Sequence, residues 1–182
     1  MILGIDKLFS RITNQKLPLI EKLSDREINS PEGAGVDLRI GIVSRLKESK
    51  SFLGVKERST LDSEIVAEYN SDDSTSFTLE PEGYILVTTI ETINNPSDLV
   101  GIIRPRGTLF RSGIMLSTGQ VNPDYSGVLT FGMYNASDFE FEFELGSRVA
   151  HILFCEVNGT TNPYRGQWQN GRISAPSREE QI

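Results

Sequence analysis

Cysteine and histidine are almost absent from this chain of 182 residues. Cys155 is the only cysteine and His151 is the only histidine. A single cysteine cannot form an internal disulfide, and this pattern favours a cytoplasmic location. One cysteine and one histidine also cannot supply the nitrogen and sulfur ligands of a zinc site. We therefore expect no zinc, and we expect His151, which lies in an apolar run, to be a core or interface residue.

Long hydrophobic runs and an excess of positive charge are also missing. No apolar run approaches the roughly 20 residues that a membrane span requires, and residues 1–4 are too few to form a signal-peptide core before Asp6. The formal net charge is -7, whereas nucleic-acid binding requires a basic surface. We therefore expect no membrane and no nucleic-acid partner. A single nucleotide remains a possible ligand because it needs only a few local arginines.

The composition is that of one globular domain. Hydrophobic residues make up 37% of the chain and charged residues 24%, which is typical of a folded domain. We predict a single domain over 1–182, with a helix and loop at 1–32, a core at 33–161 and a C-terminal lid at 162–182. Apolar residues at helical spacing predict a short amphipathic helix over Ile5–Ile12. Ser24 and Glu27 have the spacing of a capping box.

Alternating apolar and polar residues predict that most of the chain is β-structure. In the run at 139–145, F-E-F-E-F-E-L, the phenylalanines are expected to face the interior and the glutamates the solvent. Many short strands with little helix indicate an all-β barrel or sandwich. The predicted strands are Val36–Leu46, Ser76–Leu79, Tyr84–Ile90, Leu99–Ile103, Val128–Tyr134, Phe139–Leu145 and Val149–Val157.

Two arginines near the middle of the chain indicate an anion site. Arg106 and Arg111 carry planar donor groups suited to phosphate oxygens, and Gly107 between them leaves backbone N–H groups open to close approach. A hairpin sequence follows at 121–135. The alternative is that both arginines are ordinary surface or ion-pair residues around a tight turn.

Several motifs in this order resemble one family. R-P-R-G-T-L-F-R-S-G-I at 104–114 resembles the R-S-S-L-A-R-x-G-[LI] segment of the dCTP deaminase and trimeric dUTPase superfamily. V-N-P-D-Y-S-G-V-L-T-F-G-M-Y-N at 121–135 resembles its [IV]-D-P-G-[WY]-x-G-x-[IL]-x-L-E-x-x-N hairpin. Further similarities lie at 35–41 (G-V-D-L-R-I-G), 83–91 (G-Y-I-L-V-T-T-I-E) and 146–150 (G-S-R-V-A).

The resemblance implies a fold, a ligand and an assembly. The fold is the distorted β-barrel of the dUTPase-like (β-clip) type, with a short N-terminal helix and a flexible C-terminal lid. The ligand is a pyrimidine deoxynucleoside triphosphate, with Mg²⁺ bound through its phosphates and no metal ligand from the protein. The assembly is a homotrimer with sites between subunits. Asp37, which the alternation places off the apolar face of its strand, is the motif aspartate, with a structural role.

The resemblance also implies nucleotide-binding residues in three segments. The third is the polar tail, where G-Q-W-Q-N-G at 166–171 is similar to the G-K-Y-Q-G-Q tail of dCTP deaminases. A tail without a role is the alternative, because chain ends are commonly loose. The implied residues are Arg106, Gly107, Thr108, Leu109, Phe110 and Arg111, then Asn122, Tyr125, Thr130, Phe131 and Gly132, then Tyr164, Gln167, Trp168 and Gln169.

The chain departs from the family pattern where the chemistry should be. The proton-transferring glutamate of the deaminases is replaced by Gly132, and the water-orienting aspartate of the dUTPases by Asn122. Gly107 replaces the first serine of R-S-S. The remaining catalytic candidates are Arg111, Asn122 and Asp124, the last only if its segment is extended. Losing a general acid or base typically costs a factor of ~10² to 10⁴ in rate.

Three functions remain open at this point. One is an enzyme on pyrimidine deoxynucleoside triphosphates, either a dUTP diphosphatase, giving dUMP and pyrophosphate, or a dCTP deaminase. Another is a non-catalytic nucleotide sensor or regulator on the same fold, which the losses at Asn122 and Gly132 favour. The third is a structural trimer without a ligand. Whether Gly132 makes room for a larger substituent on the base is also open.

Overall fold

The computed structural model describes residues 1–13 and 16–181. Residue 182, the last of the predicted lid, lies outside the described residues, as do residues 14 and 15 of the predicted N-terminal region. The described helices are α1 (Ile5–Thr13), α2 (Asp25–Asn29) and α3 (Gly107–Arg111), with a 3-10 turn at Gln169–Gly171. None of the helices in this described part of the chain is long and apolar enough to span a membrane.

Most of the other regular structure is β-strand, as the sequence predicts. The strands are β1 (Ile20–Glu21), β2 (Gly35–Leu46), β3 (Phe52–Leu53), β4 (Glu57–Ser59), β5 (Ser63–Glu68), β6 (Ser76–Leu79), β7 (Tyr84–Asn94), β8 (Leu99–Pro105), β9 (Ile114–Ser117), β10 (Gln120–Val121), β11 (Ser126–Asn135), β12 (Phe141–Glu144), β13 (Arg148–Glu156) and β14 (Glu179–Glu180).

The principal sheet is antiparallel and curls around one core. Its strand order is β10-β8-β13-β2-β7-β11-β9, with β1 added beside β7 and β5 beside β2. The long strand β2 pairs with β13 through its first half and with β7 through its second, so it joins the two parts of the curled sheet. The all-β fold class with a curled, barrel-like sheet is therefore confirmed.

The first helix is also confirmed. Helix α1 buries Leu8 and Ile12 on one face, which is the face that the helical spacing predicts. The capping prediction at α2 is only half right. The Ser24 side chain accepts a hydrogen bond from the backbone N–H of Glu27, but the Glu27 carboxylate does not complete the box. It accepts instead from the backbone N–H of Asp37, at 2.9 Å.

Strand β2 differs from the half-buried strand that its alternation predicts. Val36 and Leu38 are fully buried, and Asp37 between them is also only 1% exposed. The reason is that the side chains of Arg106, Arg148 and His151 cover the face of β2 that carries Asp37. Asp37 is thus an interior carboxylate, and it needs partners for its charge.

The alternating run at 139–145 behaves as predicted except at its start. In β12 the glutamates are exposed, Phe143 is buried and Phe141 is half-buried. Phe143 packs against Phe77 of β6, with the ring centroids 5.7 Å apart. Phe139 lies before the strand begins and is 77% exposed, so the expectation that it faces the interior is wrong.

The C-terminal segment, residues 162–181, is docked on the domain. Strand β14 pairs with β4, and the backbone N–H of Thr60 donates to the carbonyl of Ala175 at 2.9 Å. Ala175 is completely buried. The composition of this segment predicts little burial. The structure differs because the segment folds onto the irregular stretch around β3 and β4 rather than forming a core of its own.

Candidate functional site

The C-terminal segment covers a cavity of about 620 Å³ on the principal sheet. Strands β7 and β11 form its floor, and the stretch around β4 forms one wall. The lining residues are Leu46, Ser51, Ser59, Thr60, Leu61, Tyr84, Leu86, Ile103, Gly119, Gln120, Val121, Asn122, Tyr125, Val128, Leu129, Thr130, Phe131, Gly132, Tyr164, Trp168, Arg172 and Ile173.

The alternation of β11 directs its side chains to two faces of the sheet. Leu129, Phe131 and Met133 are buried in the core, whereas the even-numbered residues between them are half-buried on the opposite face. That face carries Thr130 and Gly132. The hydroxyl of Thr130 lies 3.2 Å from that of Thr88 on the neighbouring strand.

The hairpin turn before β11 is held by polar side chains. Asn95 is buried and donates through its side-chain amide to the carbonyls of Leu99, Val121 and Asn122. The Asn122 side-chain oxygen accepts from Gln120 Nε2 at 2.8 Å. One edge of the cavity therefore carries two amides at fixed positions.

Tyr125 anchors the same turn from inside. Its hydroxyl donates to the carbonyl of Val128 at 2.6 Å, and its ring meets that of Tyr164 edge-on, with centroids 5.5 Å apart. Burial, reinforced by the nearby Tyr164 hydroxyl and opposed by the backbone of Gly171, raises the pKa of Tyr125 to about 12. Tyr125 is thus a neutral structural group at physiological pH.

Backbone and amide contacts fix the C-terminal segment to the hairpin. Gln169 accepts from the backbone N–H of Ser126 at 3.2 Å and donates to the carbonyl of Asp124 at 3.0 Å. The backbone N–H of Tyr164 donates to the carbonyl of Pro123 at 3.1 Å. These contacts hold Trp168 and Tyr164 at the cavity.

The cavity is almost free of charge. Arg172 is the one charged side chain among its lining residues, and none of them is a carboxylate. Its polar groups are hydroxyls and amides set among aliphatic side chains, which is typical of a site for an uncharged ring. A smaller cavity of about 290 Å³ adjoins it, since Asn122 and Tyr164 line both, and this second cavity contains Arg165.

Charge is concentrated elsewhere, around the buried Asp37. One of its oxygens lies 2.8 Å from Arg106 and 2.9 Å from Arg148, and the other lies 2.8 Å from Nδ1 of His151. The Glu27 carboxylate accepts a hydrogen bond from the backbone N–H of Asp37 and forms an ion pair with Arg26. We call Asp37, Arg106, Arg148 and His151 the Asp37 cluster.

The partners of Asp37 outweigh the cost of burying it. Burial alone raises the pKa of its carboxyl, but the hydrogen bond from His151 and the charges of Arg106, His151 and Arg148 bring the pKa below its usual value. The structural role of Asp37 stays a prediction, which this ion pairing supports. His151 is half-buried and bonded to this carboxylate, which agrees with a core or interface position.

At a second buried carboxylate, Glu91, the effect of burial on the pKa exceeds the effect of its partners. Glu91 is fully buried on β7 and accepts from the backbone N–H of Arg39 at 2.8 Å and from its Nε at 2.7 Å. Burial nevertheless dominates, and the pKa of Glu91 is raised above its usual value.

The predicted site residues fall into two groups. About half of them border the cavity, namely Asn122, Tyr125, Thr130, Phe131, Gly132, Tyr164 and Trp168. The others are outside its lining, namely Arg106, Gly107, Thr108, Leu109, Phe110, Arg111, Asp124, Gln167 and Gln169. Gln169 fixes the C-terminal segment, Gln167 pairs with Arg58 of β4, and Leu109 is buried in the core.

Arg106 and Arg111 do not grip one anion within a single chain. Arg106 is bonded to Asp37, whereas Arg111 donates to the carbonyl of Gly107 at 3.3 Å and lies over the exposed ring of Phe110. Neither lines the cavity. Arg106 is the N-cap residue of helix α3, and Arg111 is its last residue. A nucleotide-binding role for either stays a prediction that needs a second copy of the chain.

Asp124 does not lie in an extended segment, which its role as a catalyst would require. Its φ of 61° is left-handed, so its segment is a turn and not extended. The space beside Gly132 is not open either. A Cβ built on Gly132 would collide with the hydroxyl oxygen of Tyr84 and would lie 2.9 Å from Cζ of that ring. The space beside Gly132 is thus occupied by the phenol of Tyr84.

Sequence reasoning missed several cavity residues. Tyr84 lies in the motif at 83–91, and strand alternation places it on the same face as Leu86, which also lines the cavity. That signal was available. Thr60 and Leu61 gave no signal, because their stretch has no clear period and reaches the site only through its contact with the C-terminal segment.

Comparison with known proteins assigns the fold and the family. The family model described as dCTP deaminase-like matches residues 4–157. A dCTP deaminase of Thermococcus kodakarensis is 32% identical over 163 residues, covering 89% of this chain and 92% of the relative. A dCTP deaminase, dUMP-forming, of Persephonella marina is 30% identical, and the match covers 98% of this chain and 97% of the relative.

A solved structure agrees at the level of fold. The 2'-deoxycytidine 5'-triphosphate deaminase from Agrobacterium tumefaciens superposes with a TM-score of 0.63 at 17% identity. The match covers 86% of this chain and 48% of that chain, so this protein spans about half of its length. Among the described residues, no group of three or more His, Cys, Asp or Glu side chains is placed to hold a metal ion.

Proposed function

This chain belongs to the dCTP deaminase-like family, and from that premise we propose that it binds a pyrimidine deoxynucleoside triphosphate in nucleotide metabolism, with the base in the cavity under the C-terminal segment. The observation that carries the proposal is the chemistry of the lining. Aliphatic and aromatic walls surround a few fixed amides and hydroxyls without a carboxylate, which suits an uncharged heterocycle.

The triphosphate requires cations that the main cavity largely lacks. Arg172, which is paired with Glu179, lies in its lining, and Arg165 lies in the adjoining smaller cavity. Guanidinium groups are well suited to phosphate oxygens. Since the lining offers no carboxylate for Mg²⁺, the ion would be bound through the phosphates of the ligand alone.

The missing carboxylates favour binding without turnover. Both reactions implied by the family need a group that accepts a proton from water, and neither Asn122 nor Gly132 can do so. We therefore favour a nucleotide-binding sensor or regulator. The enzymatic alternative, hydrolysis of dUTP to dUMP and pyrophosphate, is supported by the Gln120–Asn122 hydrogen bond, which holds a polar side chain where a water would have to be oriented.

The trimer stays part of the proposal. Arg111 is exposed on α3 beside Phe110, which is 61% exposed, and close to Met115, which is 60% exposed. Exposed apolar side chains around a guanidinium suit a contact between copies that would bring Arg111 to the ligand of a neighbour. Analytical ultracentrifugation is expected to give a trimer. A monomer would contradict a shared site.

Trp168 provides a direct test of binding. It is the only tryptophan and it lines the cavity, so its fluorescence should change when dCTP or dUTP binds in the presence of Mg²⁺. Product analysis of the same mixtures separates the two alternatives. Binding without uracil-containing products or pyrophosphate supports the sensor, and turnover supports the enzyme. No fluorescence change and no heat on titration with either nucleotide would overturn the proposal.

A matched variant sharpens the catalytic question. Asn122→Asp keeps the oxygen that accepts from Gln120 and adds a carboxylate that can accept a proton. If the scaffold lacks only this group, dUTP hydrolysis in the variant should exceed that of the natural chain by about 10²-fold or more. Asp124→Asn, in which a neighbouring side chain outside the cavity lining loses its charge, is the control and should leave both binding and turnover unchanged.

A further inference from the structure

Tyr84 reaches across the sheet into the space beside Gly132. The pairing of β7 with β11 sets Tyr84 opposite Tyr134, and Leu86 opposite Gly132. Tyr84 and Gly132 are therefore diagonal neighbours on one face, within reach of an aromatic side chain. Any Cβ at position 132 would collide with the hydroxyl oxygen of Tyr84, so glycine is required for this ring position.

The phenol is the functional group that this arrangement delivers to the cavity. Tyr84 lines the cavity and is 45% exposed. In the part of the chain that the structure describes, the hydroxyl makes no hydrogen bond to another protein group, whereas the nearby Thr130 hydroxyl is engaged with Thr88. The hydrogen-bonding capacity of Tyr84 is thus available.

The chemistry of a phenol indicates what it recognises. A carboxylate only accepts hydrogen bonds, whereas a tyrosine hydroxyl both donates and accepts. By rotating its O–H bond, Tyr84 can donate to a ring carbonyl or accept from a ring amino group. It therefore suits cytosine and uracil equally, and the lining has no carboxylate that would favour the amino group.

Resting on the proposed function, we infer that Tyr84 is a base-binding residue whose phenol hydrogen-bonds the polar edge of the base and admits both cytosine and uracil nucleotides. Gly132 acts through Tyr84 as a positioning residue. The natural chain should bind dCTP and dUTP with dissociation constants within about tenfold of each other, since a rotating hydroxyl satisfies either base.

The test compares Tyr84→Phe with Tyr134→Phe. Both variants remove one phenol oxygen from the same face of the sheet, but Tyr134 does not line the cavity. Tyr84→Phe is expected to weaken the binding of both dCTP and dUTP by about 2- to 10-fold, as for one lost hydrogen bond. Tyr134→Phe should leave both affinities unchanged. The urea midpoints of both variants check that folding is intact.

Gly132→Ala tests the positioning role. It should weaken binding at least as much as Tyr84→Phe, and the double variant should bind no more weakly than Gly132→Ala alone, because both changes remove the same contact. If Gly132→Ala fails to fold, Tyr84→Phe still decides. Unchanged affinity of Tyr84→Phe for both nucleotides, with the natural chain binding them, overturns this inference alone. A natural chain that binds neither overturns the proposed function as well.

Discussion

The cavity and the Asp37 cluster use polar groups in opposite ways. In the cluster, one buried carboxylate meets two guanidinium groups and an imidazole within 2.9 Å, so its hydrogen-bonding capacity is used within the fold. In the cavity the polar groups are nearly all neutral, and among the described residues the hydroxyl of Tyr84 makes no hydrogen bond to the protein. The strong charge network of this molecule therefore holds the fold together, while the candidate site is lined by neutral groups.

Removing the central charge of the cluster should have the largest effect. Asp37→Asn leaves Arg106, Arg148 and His151 without their shared carboxylate. Since breaking a buried ion pair typically costs about 3 to 5 kcal/mol, we expect the free energy of unfolding to fall by about that amount, measured by urea denaturation. Asp62→Asn, which removes an exposed partner of Lys47, is the control and should cost much less. Equal losses would mean that the Asp37 cluster is not structural.

Displacing the C-terminal segment from the cavity should weaken nucleotide binding and leave the Asp37 cluster intact. Gly127 has a φ of 145°, and a Cβ there would lie 2.8 Å from the carbonyl carbon of Asn170. Since such strain costs about 1 to 3 kcal/mol, Gly127→Ala should weaken nucleotide binding by about tenfold or more and expose the C-terminal segment to protease.

Gly119→Ala is the control for this change. It adds the same methyl group at a cavity residue where no heavy atom outside its chain neighbours lies within 4 Å of the new Cβ. It should leave protease resistance unchanged. If Gly127→Ala binds nucleotide as the natural chain does, the C-terminal segment does not form part of the site.

The two buried carboxylates should give opposite pH dependences. The pKa of Asp37 is lowered, so its contribution to stability is present above its usual value of 3.8 and is lost as the pH falls through the lower, folded-state value. The pKa of Glu91 is raised above its usual value of 4.5, so its contribution is present below 4.5 and is lost as the pH rises through the folded-state value.

Urea midpoints as a function of pH check both signs. The stability advantage of the natural chain over Asp37→Asn should shrink below pH 3.8, whereas its stability relative to Glu91→Gln should improve as the pH falls from 7 towards 4.5. Parallel curves for the natural chain and Glu91→Gln would contradict the raised pKa of Glu91.

The smallest expected effect concerns Tyr125, which stabilises the hairpin from inside. Tyr125→Phe removes one buried hydrogen bond to the carbonyl of Val128 and should cost about 1 kcal/mol. Because the pKa of Tyr125 is raised to about 12, this residue should stay neutral at pH 10.5. Absorbance at 295 nm reports ionised tyrosine, and at pH 10.5 the natural chain and Tyr125→Phe should therefore give the same value.

Strand alternation and helical spacing were sufficient to predict elements with one face in the core and the other towards solvent. Alternation located β6 at its observed bounds, and helical spacing located α1 and its buried face. Alternation was insufficient at Asp37, because it shows which side chains share a face of a strand but not whether distant residues cover that face. The capping-box spacing also failed at Glu27, whose carboxylate bonds to a distant backbone N–H and not to its own helix.

The sequence alone determined the all-β class, the order of the family motifs and the absence of a carboxylate at positions 122 and 132. Those features lie in residue identity and short-range period, which the chain carries in any conformation. Only the tertiary structure decided that Arg106 turns to Asp37 and that the phenol of Tyr84 fills the space beside Gly132. The physical reason is that both depend on the register and covering of neighbouring strands, which bring together residues that are far apart in the chain.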